Sequence, residues 1–309
     1  MKRVLVTGGA GFVGRHAVAA LAARGFEIHA VGRTRPEGVH AFRAADLLDE
    51  GQRRAAVWGL GASHLLHLAW VTEPGRYRQS PDNLAWTAAS LDLVRAFREA
   101  GGARAVVAGT CAEYDWTGMP GIADGRLSES ALCNPTTLYG AAKDGLRRIL
   151  QAYAATAGLS LAWGRLFYLY GPGETTGRLV GDAARALLAD RRLATSEGRQ
   201  RRDFLHVADA GAAFAALLDA AVEGPVNIGS GEAVPVRKVL ETIGALTGRP
   251  DLIDFGARPL APTEPACIEA DIRRLTEDVG FCARYGLEGG LSETVEGWRG
   301  ALSNAASAP

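Results

Sequence analysis

The stretch RVLVTGGAGFVG, residues 3–14, decides the fold class. Its first five residues form a short apolar run that predicts a buried strand, and the helical pattern of residues 12–25 follows at once. Between them, Gly8, Gly11 and Gly14 allow a tight turn and a close approach of the backbone to a pyrophosphate. Because a helix N-terminus favours an anion, this strand, turn and helix together predict a dinucleotide-binding site.

Residues 1–173 alternate short apolar runs with helical patterns, which is typical of a parallel α/β sheet. We therefore predict an α/β fold with a Rossmann-type doubly wound parallel sheet in this dinucleotide-binding domain. Residues 202–229 read as strand, helix and strand, and we expect them to return to the main sheet. Residues 174–201 and 230–309 are predicted to form a smaller mixed α/β C-terminal lobe that binds the substrate. The strands predicted in the first domain are 3–7, 27–32, 40–46, 63–70, 103–109 and 160–171, and its longer helices are 12–25, 81–100 and 136–158.

The composition argues against several classes of protein. The 309 residues are 48% apolar and carry no net charge, a balance that disfavours nucleic acid as the main partner. No apolar run approaches the roughly 18 residues of a membrane span, and the first residues show no signal-peptide pattern. The four cysteines lack the spacing of metal ligands and suggest reduced thiols. We therefore expect a cytoplasmic protein with no metal site and no membrane contact.

The end of the second predicted strand indicates which dinucleotide binds. An acidic residue there accepts hydrogen bonds from the adenosine ribose of NAD, but this chain has Gly32 followed by Arg33. A guanidinium pairs well with a 2′-phosphate, which favours NADP(H) over NAD(H). The alternative is that Arg33 is a solvated loop charge. Asp46, at the end of the third strand, either holds the adenine amino group or caps its loop.

Tyr139 and Lys143 stand four residues apart in the long helical pattern of residues 136–158, so they share one face of the helix. A phenol has a pKa of about 10 and transfers protons poorly at neutral pH. A neighbouring ammonium group favours the phenolate, so the pair predicts general acid–base catalysis. Lys143 is also suited to hold the nicotinamide ribose hydroxyls. The alternative is an ordinary pair on a helix surface.

Several stretches carry a family resemblance. They are TGGAGFVG (7–14), HLAW (67–70), Asn83, Thr110, YGAAK (139–143), RLFYLYGPG (165–173), GRQRRDFLHVADA (198–210) and VNIGSGE (226–232). Together they resemble the extended short-chain dehydrogenases/reductases, in the branch of nucleotide-sugar epimerases, dehydratases and ketoreductases. The resemblance spans nearly the whole chain. The glycine turn and the Tyr-Lys pair are shared by many relatives, whereas RRDFLHVAD and VNIGSG are more specific to nucleotide-sugar enzymes.

The resemblance implies that Thr110 is the catalytic Ser/Thr, because Tyr114 lies four residues later, where relatives carry an aromatic residue. The next residues are Cys111 and Ala112, whereas similar 4,6-dehydratases carry Asp and Glu there. Enzymes resembling GDP-fucose synthase place an acid/base Cys at the second of these positions. We therefore expect Cys111 to be a packed thiol, which leaves hydride transfer without further acid–base groups. The expected catalytic set is Thr110, Tyr139 and Lys143, and the expected cofactor-binding set is Gly8, Gly11, Phe12, Val13, Gly14, Arg33, Asp46, Leu47, Leu68, Ala69 and Lys143.

The same resemblance implies contacts with a nucleotide-diphosphate sugar. Arg202 and, on a looser match, Arg258 correspond to arginines that clamp the diphosphate, with structural ion pairs as the alternative. Tyr168 stands where relatives often have Asn, which changes the usual substrate contact. Trp70 is expected either to wall the sugar or to pack in the core. Glu113 either binds sugar hydroxyls or is satisfied by a nearby arginine.

The function expected from these residues is NADPH-dependent reduction of the C4 keto group of a nucleotide-linked 4-keto-6-deoxy sugar. The leading alternative is a nucleotide-sugar 4-epimerase that recycles a tightly bound NAD(P), and a remote one is a non-catalytic cofactor-sensing regulator. Relatives usually dimerise through two long helices, here residues 81–100 and 136–158, so a homodimer is expected.

Overall fold

The computed structural model of the chain describes residues 2–116 and 125–306. Its strands are β1 (Arg3–Thr7), β2 (Glu27–Gly32), β3 (Ala41–Ala44), β4 (His64–His67), β5 (Arg104–Thr110), β6 (Arg126–Leu127), β7 (Ser160–Leu166), β8 (Tyr168–Tyr170), β9 (Leu193–Ala194), β10 (Arg201–His206), β11 (Gly224–Ile228), β12 (Ala233–Pro235), β13 (Ile253–Asp254) and β14 (Cys267–Ala270). Its α-helices are α1 (Gly14–Ala23), α2 (Glu50–Val57), α3 (Asp82–Glu99), α4 (Leu138–Ala157), α5 (Leu179–Leu188), α6 (Val207–Asp219), α7 (Val236–Thr247) and α8 (Leu287–Ala306). In these two described stretches, no helix is long and apolar enough to cross a membrane.

Seven strands form one parallel sheet in the order β3-β2-β1-β4-β5-β7-β11. The side chains of β1 alternate between its two faces. Val4 and Val6 pack on the side of α1 and α6, whereas Leu5 packs on the side of α2, α3 and α4. All three side chains are fully buried, because helices cover both faces of the sheet. The predicted Rossmann-type doubly wound sheet is thus confirmed.

A second, smaller sheet contains β12, β10, β14 and β6, with β8 paired to β10. The sequence-based expectation that all of residues 202–229 return to the main sheet is therefore wrong for β10. It holds for α6, which packs on that sheet, and for β11, which pairs with β7. The predicted strand of residues 160–171 breaks at Phe167 into β7 and β8, and β8 pairs with β10 instead of staying in the main sheet.

Asp203 explains why β10 belongs to the second sheet. Its carboxylate is fully buried and accepts hydrogen bonds from the backbone N–H groups of Ser230 at 2.6 Å, Gly231 at 3.0 Å and Ala270 at 3.1 Å. Ala270 lies in β14, so these bonds join β10 to β14 and to the segment after β11. An apolar pattern with a strand period does not show which sheet the strand will join.

Candidate active site

The glycine turn between β1 and α1 admits a close approach of backbone but leaves no room for side chains. Gly8 has a φ of 71°, and a Cβ there would lie 2.7 Å from the nitrogen of Ala69. A Cβ on Gly14 would overlap the carbonyl oxygen of Gly8, which also accepts a hydrogen bond from the Gly11 N–H at 3.0 Å. The first N–H groups of a helix have no partners within it, so this turn fits the pyrophosphate of a dinucleotide.

Four other residues of the expected cofactor set border this turn. Phe12 and Val13 lie between the turn and α1, and both are partly buried. Leu68 and Ala69 follow β4, and their backbone atoms lie against Gly8. Strands β1 and β4 are neighbours whose crossover helices lie on opposite faces of the sheet, and open parallel sheets bind ligands at such a point.

Three residues expected near the adenosine end of the cofactor follow β2 and β3. Arg33 is exposed directly after β2, and its guanidinium forms no ion pair with any described residue. Asp46 caps its own loop, since its Oδ1 accepts a hydrogen bond from the Leu48 N–H at 3.0 Å. Leu47 is buried in the core on the side of α2 and α3, so its side chain contributes packing.

The N-terminus of α4 carries the Tyr-Lys pair. The Thr137 side chain caps the helix by accepting a hydrogen bond from the Gly140 N–H at 3.1 Å. A Cβ on Gly140 would collide with the backbone of Ala112, so the glycine lets α4 approach the turn after β5. This approach brings Tyr139 beside Thr110 at the end of β5, close enough for the threonine side chain to lower the pKa of the phenol.

Burial disfavours the charged forms of both residues of the pair. It raises the pKa of Tyr139 above its usual range, and the hydrogen bond to Thr110 offsets part of this rise. It lowers the pKa of Lys143 to about 7, although the Glu113 carboxylate opposes the shift. The Lys143 Nζ donates to the carbonyl oxygen of Ala108 at 2.9 Å. In the free protein, therefore, Tyr139 is a neutral phenol that can donate a proton.

Glu113 is buried beneath the site and does not reach the substrate side. Its Oε1 accepts hydrogen bonds from the Thr110 N–H and the Trp163 Nε1, both at 2.9 Å. Its Oε2 accepts from the Arg165 Nε at 2.8 Å, and the side chain is 0% exposed. The expectation that Glu113 binds sugar hydroxyls is therefore wrong, because both oxygens are already bonded inside the protein. The alternative, a loop carboxylate satisfied by a nearby arginine, describes it correctly.

Cys111 is a buried thiol, as expected from its displaced position. It is 6% exposed and packs in a small apolar cluster with Tyr114, Leu127 and Phe167. Burial raises the pKa of Cys111 to about 12, so the thiolate is disfavoured. The turn after Thr110 therefore presents no further acid–base group from this cysteine.

Arg202 and Tyr168 meet in the second sheet. The Arg202 guanidinium lies 5.7 Å from the centre of the Tyr168 ring, and the arginine is only 3% exposed. It forms an ion pair with Glu264, a residue that the sequence analysis did not single out. Arg258 is exposed, and its backbone N–H donates to the Thr195 carbonyl oxygen at 3.0 Å. Within the described residues, the Arg258 guanidinium forms no ion pair.

Trp70 and Tyr77 lie in the segment after β4, and Asn83 organises that segment. The Asn83 side chain donates to the carbonyl oxygens of Tyr77 at 2.7 Å and Ser80 at 2.9 Å, and accepts from the Trp70 Nε1 at 2.9 Å. The Tyr77 ring meets the Tyr139 ring edge-on, with centroids 4.9 Å apart. The segment thus presents two aromatic rings to the catalytic helix.

A buried network that sequence reasoning missed supports the glycine turn from below. His67 lies between Thr7, whose Oγ1 is 2.6 Å from its Nδ1, and Ser90, whose Oγ is 2.8 Å from its Nε2. Burial lowers the pKa of His67 to about 3, so the imidazole is neutral. The network joins β1, β4 and α3. Its only signal in the sequence is the polar His67 inside an apolar strand.

The turn that admits a pyrophosphate and the Tyr-Lys pair beside Thr110 define a dinucleotide-dependent enzyme of the short-chain dehydrogenase/reductase type. The sequence model that describes the NAD dependent epimerase/dehydratase family matches residues 4–229, more than half of the chain. The chain therefore belongs to this family.

Individual relatives cover nearly the whole chain. The chain is 30% identical to a UDP-glucose 4-epimerase of Azospirillum brasilense, in an alignment that covers 97% of this chain and 92% of the relative. It is 27% identical to a dTDP-4-dehydro-6-deoxy-D-allose reductase of a Streptomyces species, covering 96% of each. Among solved structures, MoeE5 in complex with UDP-glucose and NAD is 31% identical, with a TM-score of 0.81 over 97% of this chain and 99% of that one.

Proposed function

We propose that the protein is an NADPH-dependent ketoreductase that acts on the C4 keto group of a nucleotide-linked 4-keto-6-deoxy sugar. The observation that carries this proposal is Arg33, which is exposed directly after β2 where an NAD-binding protein needs an acid. A reductase must exchange oxidised for reduced cofactor at each turnover, and an arginine that pairs with a 2′-phosphate selects NADPH.

The chain supplies the proton and orients the reacting oxygen, while bound NADPH supplies a hydride. Tyr139, neutral in the free protein, donates the proton to the oxygen at C4. The Thr110 hydroxyl, which lies beside the phenol, orients that oxygen. The Lys143 ammonium stabilises the phenolate that forms and holds the nicotinamide ribose. The glycine turn and Phe12 hold the pyrophosphate by their backbone.

The substrate is held from the second sheet. Arg202 and Arg258 bind the diphosphate, and Tyr168 lies beside the sugar. The ion pair between Arg202 and Glu264 is the structural alternative to this assignment, so a bound diphosphate would have to take the place of the Glu264 carboxylate. Trp70 and Tyr77 border the sugar side of Tyr139.

A 4-epimerase is the second candidate, because the relative from Azospirillum brasilense is a UDP-glucose 4-epimerase. Epimerisation uses the same Thr110 and Tyr139 to remove and return one proton. It needs no exchange of cofactor, and therefore no selection for NADPH. The two candidates differ in net hydride consumption and in the role of Arg33.

The proposal is tested by cofactor binding to two matched variants. Arg33→Ala is expected to weaken binding of NADPH about tenfold or more, because it removes a charge-assisted pair with the 2′-phosphate, and to leave NADH binding unchanged. Arg35→Ala, two residues away and also exposed, is expected to change neither affinity by more than about twofold. Dissociation constants from nucleotide fluorescence measure both.

Equal affinity of the unaltered protein for NADPH and NADH would contradict the assignment of Arg33. So would an Arg33→Ala protein that binds NADPH as tightly as before. Either result favours the epimerase, whereas loss of both cofactors in Arg33→Ala alone reveals a structural role for this arginine.

A further inference from the structure

The Lys143 ammonium is enclosed by two different kinds of group. Its Nζ donates to the Ala108 carbonyl oxygen at 2.9 Å and lies 3.7 Å from the centre of the Trp70 ring. The residue is only 3% exposed. An ammonium has three donors, and burying its charge beside one neutral acceptor is costly. The indole face is therefore the second source of stabilisation next to this charge.

The Trp70 ring is held in place by contacts within the protein. Its Nε1 donates to the Asn83 Oδ1 at 2.9 Å, and Asn83 is 0% exposed and bonded to two carbonyl oxygens of residues 77–80. The centre of the Trp86 ring lies 6.1 Å from that of Trp70, and the two rings are tilted by 35°. These contacts fix the plane of the indole over Lys143.

We propose that Trp70 is a positioning residue for Lys143, whose ammonium it holds in the charged form by a cation–π contact. An aromatic face attracts a cation most strongly where water is excluded, as it is here. The contact opposes the neutralising effect of burial and keeps the ammonium beside β5, one helical turn from Tyr139. The role of Lys143 in turnover rests on the proposed function; its contact with Trp70 does not.

The other titratable groups that face Lys143 are few, so the effect of Trp70 is separable. The Glu113 carboxylate, below β5, favours the ammonium. His67, on β4, is neutral, because burial and the charge of Lys143 both lower its pKa. Tyr139, on α4 itself, is neutral because burial raises its pKa. None of these groups is altered by a substitution at residue 70.

The test is a direct titration of Lys143 in the free protein. The chain has only three lysines, Lys2, Lys143 and Lys238, so lysine labelled with carbon-13 at Cε gives three resonances. The Lys143→Met protein assigns the resonance of interest by its loss. Trp70→Leu, which keeps the site dry without a ring, is expected to lower the pKa of Lys143 by about one unit, a tenfold change in its ionisation constant.

Two matched variants distinguish the effect of the Trp70 ring on the pKa of Lys143 from a general effect on folding. Trp70→Phe keeps a weaker aromatic face and loses the same bond to Asn83, so the pKa of Lys143 is expected to lie between those of the Leu variant and the unaltered protein. Trp86→Leu removes the neighbouring indole but keeps the Trp70 ring over Lys143, and is expected to leave that pKa unchanged.

An unchanged or raised pKa of Lys143 in Trp70→Leu would overturn the proposal. If the Leu variant does not fold, as judged by the dispersion of its spectrum, the Phe variant decides. The absence of a downward shift of the Lys143 pKa in the Phe variant would then overturn the proposal. Because the titration contains neither cofactor nor sugar, its result is independent of whether the protein proves to be a reductase or an epimerase.

Discussion

The environment of Lys143 determines how the candidate site is expected to respond to pH. Burial lowers its pKa to about 7, far below that of a lysine in water, and leaves the ammonium half-ionised near neutrality. Tyr139 shifts in the opposite direction, because burial raises the pKa of the phenol. Below pH 7 the free protein therefore holds a charged Lys143 beside a neutral Tyr139, which is the pair of states that reduction requires.

The catalytic efficiency of reduction is accordingly expected to fall as the pH rises through about 7. Lys143 is a base whose charged form is needed, so activity is present below the pKa of Lys143 and lost above it. The kcat/KM for the cofactor, which reports groups of the free enzyme, measures this decline between about pH 5 and pH 9, a range of about two units on either side of that pKa.

Lys143→Arg is the control for this decline in kcat/KM, since a guanidinium stays charged throughout the pH range. We expect a lower plateau rate in this variant, because the longer planar group fits the site poorly, and no loss of efficiency above pH 7. If kcat/KM of the Lys143→Arg protein still declined above pH 7 in the same way, a group other than Lys143 would be responsible.

Individual site residues were predictable from sequence where chemistry and spacing coincide. Tyr139 and Lys143 are predicted from their spacing and Thr110 from the family resemblance, and the structure places Tyr139 beside Thr110. Glu113 was ambiguous, because a loop carboxylate next to a catalytic threonine looks the same whether it points outward or inward. Its inward direction depends on Arg165 and Trp163, which lie about 50 residues further along the chain.

At the scale of elements, the turn after β5 is held by a buried ion pair. Glu113 caps this turn and pairs with Arg165 of β7, and the two side chains are 0% and 1% exposed. The same pair fastens β5 to β7, so the position of Thr110 depends on it. Glu113 therefore holds the backbone of Thr110 in place.

Glu113→Gln is expected to lower the free energy of unfolding by about 3–5 kcal/mol, because it leaves the Arg165 charge buried without its partner. Urea unfolding measures the loss. Glu296→Gln, which breaks the exposed pair with Arg299 on α8, is the control and is expected to cost about 1 kcal/mol or less.

A Glu113→Gln protein of unaltered stability would contradict this structural role. If it also showed a raised KM for the sugar, the carboxylate would have to contact substrate, and the inward orientation would be wrong.

The elements of the first domain were predictable because each strand and helix has its own local pattern. The break at Phe167 and the departure of β10 were not, because both depend on pairing between distant strands. Tyr168 lies opposite Phe204, and Asp203 accepts bonds from residues near 230 and 270. Local periodicity carries no information about such partners.

At the scale of the whole molecule, the candidate site draws on both sheets. Thr110 ends a strand of the main sheet, and Arg202 lies in β10 of the second sheet. The pairing of Arg202 with Glu264 joins residues 62 positions apart, and that of Lys143 with Trp70 joins a helix to the segment after β4. Motifs predicted which residues take part, whereas their partners follow only from the fold.

Membership of the NAD dependent epimerase/dehydratase family leaves both hydride transfer and epimerisation within reach of this architecture. Both reactions use the same phenol and the same nicotinamide. What separates them is whether the cofactor leaves oxidised after each turnover, and the proposed use of NADPH rests on the exposed Arg33.

The most direct measurement is NADPH oxidation on addition of a panel of nucleotide-linked 4-keto-6-deoxyhexoses, with the sugar products identified by mass. We expect one NADPH to be consumed for each sugar converted, and a product heavier than its substrate by two hydrogens. Conversion of a nucleotide sugar to an isomer of equal mass, with no net loss of NADPH, would contradict the ketoreductase and establish the epimerase.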